Sequence, residues 1–304
     1  MSDLQLEAQS QVSDGGAAIR SSSSDAWYEL RRSWVFWVSA GLIFVISLVV
    51  FFPWLFASED ATSSLTGGCQ LSDSLTPPNE QFRLGSDIQG CDVYSLSIYS
   101  TRPSVAVGVI SAVTTTLLGA LLGLLAGYFG KVTDSVISRT LEIFLGVPYV
   151  LGAIVLLSAV DIPGIWGVVL AFTLLSWPVA TRMVRAKTIE AKGQDYVVAA
   201  RALGAGHMRI MFRHILPNAI GPTIVVAVIS LGIFIGAEAT LSYLGLGIQP
   251  PQTSWGTMIS EAQQVFFSAP WTLLVPAGFL TVTVLAFIML GESISDALDP
   301  KLRK

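Results

Sequence analysis

The stretch Val105–Phe129, VAVGVISAVTTTLLGALLGLLAGYF, contains no charged side chain and is long enough to cross a bilayer as a helix. A hydrocarbon core about 30 Å thick takes roughly 20 apolar residues in a helix, because each backbone group left unpaired in lipid costs several kcal/mol. Gly119, Gly123 and Gly127 recur at every fourth position, so one face of this helix is open to close approach by a neighbour. Packing is the role this series predicts, since that face offers no polar group to orient a ligand.

Five further stretches of similar character flank it: Trp34 to Phe56, Ile143 to Val160, Ile162 to Ala180, Ile220 to Leu241 and Trp271 to Leu290. The third and fourth spans are nearly continuous and are divided at Asp161-Ile162-Pro163-Gly164, where a charge, a proline and a glycine favour a turn. The expected fold is an all-α polytopic membrane protein with six transmembrane helices. Composition agrees: of 304 residues 52% are hydrophobic and 12% charged, with a mean hydropathy of +0.65, too little polar surface to cover a soluble globule. Two Cys, two His and no clustered acids offer little for a metal site or a thiol or histidine enzyme. No GxxxxGK[ST] phosphate loop occurs, since Gly130-Lys131 is followed by Val132, so ATP hydrolysis is not expected of this chain alone.

Placing the N-terminus in the cytoplasm leaves only Arg83 and Arg102 of the 17 basic residues outside. The positive-inside rule selects that orientation and puts both termini in the cytoplasm. Residues 1–30 form a Ser-, Gln- and acid-rich segment expected to be a disordered cytoplasmic tail, and 31–304 the membrane domain. The first hydrophobic stretch is too long for a cleaved signal and is expected to remain as an anchor. Two external loops follow from the same topology, 57–103 and 242–269, and within the second Trp255 to Phe267 has helical spacing suited to the membrane surface.

Between the fourth and fifth spans, residues 183–217 are too polar for lipid yet keep an apolar periodicity. Tyr196, Ala199, Ala200 and Leu203 fall at i, i+3, i+4 and i+7, Gly204-Ala205-Gly206 breaks the helix, a second short helix is expected from His207 to His214, and Pro217 suits the first turn of the next span. Arg201, Arg209 and Arg213 surround this bend and can pair with acids on a partner or with lipid headgroups. A basic interfacial helix without a partner is the plainer alternative.

Tyr196-Val-Val-Ala-Ala-Arg-Ala-Leu-Gly204 with Arg213-His-Ile-Leu-Pro-Asn218 closely resembles the EAA signature of ABC importer permeases. The resemblance implies a type I ABC importer permease (MetI-like) fold, with this loop docking in a groove of a cytoplasmic ATPase through Tyr196, Ala199, Ala200, Leu203, Gly204, Arg209 and Pro217. Val198 stands where the signature usually has an acid, so no ion pair is carried over from that position. Leu84 to Asp92, Ala237 to Pro251 with Ser254-Trp-Gly256, and Asp296 to Arg303 are similar to segments of the second permease of dipeptide and oligopeptide importers, except that Cys91 replaces a usual Arg. From Trp34 to the end, then, the resemblance implies half of a peptide pathway in the bacterial inner membrane. It implies as partners a second permease chain, two ATPase subunits or domains that bind ATP and Mg²⁺, and an extracytoplasmic peptide-binding protein. No cofactor bound by this chain and no nucleic acid is expected. Importers for nickel or other small solutes share these signatures and stay open as an alternative. A self-contained secondary transporter would require intramembrane acids near the midplane, and a channel a filter loop or charge ring.

Cys69 and Cys91 share one external loop, where oxidation is permitted. A disulfide would close a loop of about 23 residues, worth ~3 kcal/mol in the chain-entropy account; two unpaired thiols are the alternative. Glu238 near the outer end of the fifth span is a candidate pathway or gate residue, against a simple hydrogen bond to a neighbouring helix. Arg139 and Glu142 are spaced for a local ion pair, and His207 and His214 are read as surface or partner contacts.

Overall fold

Helix α3 (Val93–Phe129) is the axis of the molecule. Its 37 residues span about 55 Å at 1.5 Å per residue, more than a bilayer core needs, because the first turns precede the apolar stretch and pack on protein instead. Asp92 caps it, accepting from the Ser95 N–H at 3.0 Å. The computed structural model describes residues 22–58, 68–160, 162, 164–249 and 251–298, and among these the chain is helical, with no strand.

Before α3 come α1 (Ser22–Arg32) and α2 (Trp34–Phe51), joined at Ser33. After it come α4 (Lys131–Leu145), α5 (Tyr149–Ala159), α6 (Ile165–Lys192), α7 (Asp195–Ala202), α8 (His207–Tyr243), α9 (Trp255–Ala262) and α10 (Trp271–Leu298). Five of these are long and apolar enough to cross a membrane, or six spans if α4 and α5 together make one.

Several expectations are corrected by the fold. Residues 1–21 of the expected tail lie outside the described residues, but Ser22–Arg32 is helical. The Arg31 guanidinium lies 4.9 Å from the Trp27 ring centroid, and the Trp37 indole N–H donates to the Arg31 carbonyl at 3.0 Å, so aromatic contacts order what composition alone left loose. The first span stops at Phe51, because Pro53 cannot donate to the Val49 carbonyl and a 3₁₀ turn follows. The third span is not one helix. Pro148 has no N–H for the Phe144 carbonyl, which instead accepts from Val147 at 3.2 Å, and α5 leaves α4 at 88°. Of the expected turn between the third and fourth spans, Asp161 and Pro163 lie outside the described residues, and Gly164 caps α6 at φ 69°. Residues 93 to 103 of the expected first external loop are the opening turns of α3.

The glycine series sets the closest helix pair. A Cβ on Gly119 would meet Ala180 Cβ at 2.5 Å, one on Gly123 the Thr181 carbonyl oxygen at 2.6 Å, and one on Gly127 Thr188 Cβ at 2.6 Å, so α3 and α6 touch backbone to backbone. One apolar core joins α3, α5, α6 and α8 around Phe172, Phe234 and Leu241, with the Phe172 and Phe234 rings stacked at 5.3 Å. A second fills the end of the bundle near α7.

At the opposite end, Cys69 and Cys91 are joined in a disulfide. Their loop is tied down where the Trp271 indole N–H donates to the Ser86 carbonyl at 3.1 Å, against Gly85 at φ 82°, where any side chain would strike the Trp271 ring. Helix α9, expected along the membrane surface, is instead drawn into this end. Trp255 is fully buried, its indole N–H donating to the Ser97 carbonyl at 3.0 Å and its backbone N–H to the Ser104 hydroxyl at 3.2 Å.

Candidate functional site

The polar connection between α6 and α8 folds as a helical hairpin whose bend is fixed by Gly204. Helix α7 closes in a Schellman motif: Ala205 N–H donates to the Ala200 carbonyl and Gly204 N–H to the Arg201 carbonyl, each at 3.0 Å, with Gly204 at φ 80°. Val197 faces inward, onto Leu124, Tyr128, Val184, Ile210, Met211 and Ile215, and Ala200 is buried on the same helix. Ala200, at 9% exposure, is the most buried member of the expected stripe. The other three members of that stripe, Tyr196, Ala199 and Leu203, are exposed, Leu203 at 89%. Val198, Met208 and Phe212 extend this apolar surface, and Arg201, Arg209 and Arg213 border it, with no carboxylate partner among the described residues.

The expected second short helix does not end before Pro217. Residues Ile210–Ile215 are π-helical, and helix α8 passes unbroken from His207 to Tyr243. The wider turn absorbs the hydrogen bond that Pro217 cannot make to the Arg213 carbonyl. Asn218 then ties the two legs, its amide donating to the Tyr196 hydroxyl at 3.0 Å and to the His214 carbonyl at 2.8 Å.

Two attachments to the bundle had no signal in the sequence. The Tyr128 hydroxyl lies 2.8 Å from His207 Nδ1, and Lys192 Nζ donates to the Tyr128 carbonyl at 2.5 Å. Arg185 of α6 holds Asp134 of α4 through paired hydrogen bonds of 2.5 and 2.7 Å. The partners are 79, 64 and 51 residues apart, and only a fold could bring them together. Arg139 and Glu142 do form the local pair, at 2.8 Å and exposed.

Glu238 is fully buried between α3, α8 and the start of α9. Its Oε1 accepts from the Ser242 hydroxyl at 2.6 Å, while Oε2 has no hydrogen-bond partner. Ser242 Oγ in turn accepts from Ile248 N–H at 3.0 Å, and a Cβ on Gly256 would meet Ala239 Cα at 2.6 Å, so α9 is closed down over the carboxyl. In this conformation the residue lines no open face of the subunit. A cavity of about 390 Å³ does open at the break between α4 and α5, lined among others by Pro148, Tyr149, Ser176 and Ser230. Unwound backbone at membrane depth is tolerated where it is buried in protein or lines such a space.

Residues 119–304 match the family of binding-protein-dependent transport system inner membrane components. The chain belongs to this family. It is 35% identical over 280 residues to the oligopeptide transport system permease protein OppC of Bacillus subtilis, covering 92% of this chain and 90% of that one. To the dipeptide transport system permease protein DppC of Alkalihalophilus pseudofirmus it is 36% identical over 266 residues, covering 86% and 85%. Its fold is similar to that of a methionine ABC transporter chain in an inward-facing conformation, with a TM-score of 0.55, 20% identity, and coverage of 67% of this chain and 96% of the other. As an ABC importer permease it is a multi-pass protein of the bacterial inner membrane, and its all-α fold is of the MetI-like type.

Proposed function

We propose that this chain is one of two membrane-spanning subunits of an ATP-driven importer of short peptides, contributing half of the pathway and no catalysis of its own. The observation that carries the reading is the hairpin of Tyr196, Leu203 and Met208, apolar, ringed with arginines and left exposed. Such a surface suits the groove of a separate ATPase, and the relatives that match along most of their length are oligopeptide and dipeptide permeases. ATP and Mg²⁺ are bound by two such ATPase subunits or domains in the cytoplasm. A second permease completes the path, and an extracytoplasmic binding protein delivers the peptide at the disulfide end. Nucleotide-driven closure of the ATPases pushes the hairpin and rocks the bundle between inward- and outward-open states. The cavity at the α4–α5 break, with hydroxyl groups and no charged side chain among its lining residues, suits a cargo recognised by its main chain.

The test is reconstitution of the four-part complex in lipid vesicles with its binding protein and a radiolabelled tripeptide. Uptake should require ATP and every component. Uptake by this chain without an ATPase, or ATP-driven uptake of nickel with none of the peptide, would overturn the reading.

A further inference from the structure

We propose that the hydrogen bond between Tyr128 and His207 is the joint through which the docking hairpin drives α3, and that α3 carries the displacement as one rod to α9. This rests on the docking role proposed above and adds to it the groups that transmit force.

At the input end, Tyr128 is the penultimate residue of α3 and is 3% exposed. Its hydroxyl meets His207, the first residue of the hairpin's second leg, and its carbonyl holds Lys192 at the end of α6. The Phe129 ring also lies 6.1 Å from the His207 ring. Immediately beyond, Gly130 at φ 64° and Lys131 at φ 46° turn the chain sharply, so α3 ends as a rod just past Tyr128. The Lys131 conformation is one that L side chains disfavour.

Along the shaft, the Gly119, Gly123 and Gly127 contacts leave no compressible side-chain layer between α3 and α6, so the two helices move together. At the output end, α3 grips the first turn of α9 three times: Ser97 and Ser104 hold Trp255, and the Ser100 hydroxyl reaches Met258 Sδ at 3.5 Å. That same turn closes over Glu238. A displacement of the hairpin therefore has a route along one helix, about 36 Å from Tyr128 to Ser104 and about 46 Å to Ser97 with Pro103 between them, to the element that covers the far end of the bundle. Tyr128 and His207 are positioning residues in this scheme; neither touches cargo or nucleotide.

The experiment uses the complete complex, with both ATPases and the second permease, in lipid vesicles. It compares wild type with Tyr128→Phe, His207→Phe, the double variant and His207→Gln. Two quantities are read: peptide imported per ATP hydrolysed, and the ATP-induced change in distance between spin labels at Glu261→Cys on α9 and Leu274→Cys on α10. Each single Phe variant should lower the import ratio about 2- to 30-fold and shrink the distance change, with the ATPases still co-purifying. The double variant should be no worse than either single, as for two ends of one bond, and His207→Gln, which keeps an acceptor, should recover most of the effect. Unchanged values in either single variant, effects that multiply in the double, or a wild-type α9 label that ignores ATP would each overturn the joint. A wild-type label that responds to ATP while no peptide crosses would instead sink the peptide reading and leave the joint standing.

Discussion

Gly204 shows how much of the docking surface depends on one backbone angle. A Cβ at this position would meet nothing within 4 Å, so the objection to a side chain is purely conformational. Holding an L residue at φ 80° costs about 1–2 kcal/mol, with β-branched residues among the worst. Gly204→Val should therefore loosen the Schellman closure and misplace Tyr196 and Leu203, lowering ATP-driven uptake several-fold while membrane insertion, which depends on the spans, is kept. Uptake and insertion assays on the same vesicles decide; wild-type uptake would count against the bend. The other end carries a residue-scale effect of opposite kind. Burial lifts the Asp87 carboxyl above its usual range despite the N–H groups of Gln89 and Cys91 that it accepts, and burial and then the Asp87 charge lift Glu261. Both acids hold their protons more tightly folded than unfolded, so their contribution becomes destabilising as pH rises from about 4 through the raised values. Glu261→Gln should raise the melting temperature at pH 7, and the gain should shrink towards zero near pH 4, as followed by tryptophan fluorescence in lipid nanodiscs. A gain that is constant across pH would show that ionisation is not its source.

Among the elements, the α3–α6 contact is the one whose rigidity a single added side chain can test. In Gly123→Val the new Cβ would face the Thr181 carbonyl oxygen at 2.6 Å and the Arg185 backbone nitrogen at 2.9 Å, atoms that cannot rotate away. The helices must separate along their length, and the yield of folded protein extracted from membranes should fall sharply. Gly41→Ala in α2, where nothing lies within 4 Å, should leave it unchanged or slightly raised, since Ala is the better helix former by about 1 kcal/mol. Equal yields would mean the contact is softer than its geometry implies. This interface was legible in the sequence because a four-residue glycine period has one physical reading inside an apolar run. The break of the third span was not, because hydropathy weighs Val147 and Pro148 as it weighs any apolar pair, and the missing N–H shows only when each carbonyl is assigned a donor. Likewise Pro217 reads as a helix start, and the π-helical turn that lets α8 run through it is a matter of geometry with no compositional mark. In the hairpin, spacing found the periodicity of α7 but not which part of it faces inward, since Val197 turns in only because Leu124, Val184 and Ile210 await it.

For the whole molecule, direction follows from where its charges and its disulfide lie. The hairpin end gathers Arg182, Arg185, Lys187, Lys192, Arg201, Arg209 and Arg213, while the opposite end holds the Cys69–Cys91 disulfide. Positive-inside bias predicts the first end in the cytoplasm, and a disulfide predicts the second on the oxidising side. Because both native cysteines are paired, an introduced cysteine is the sole reactive thiol. Leu71→Cys, at a position 79% exposed beside the disulfide, should react with a membrane-impermeant maleimide in cells whose outer barrier alone has been opened. Leu203→Cys, at the tip of the hairpin, should react only once the inner membrane is broken. Labelling of the unsubstituted chain without reductant would show that Cys69 and Cys91 are free thiols. The reverse order of the two introduced sites would put the arginine-ringed surface where no ATPase could reach it, and the docking role would fall with the orientation.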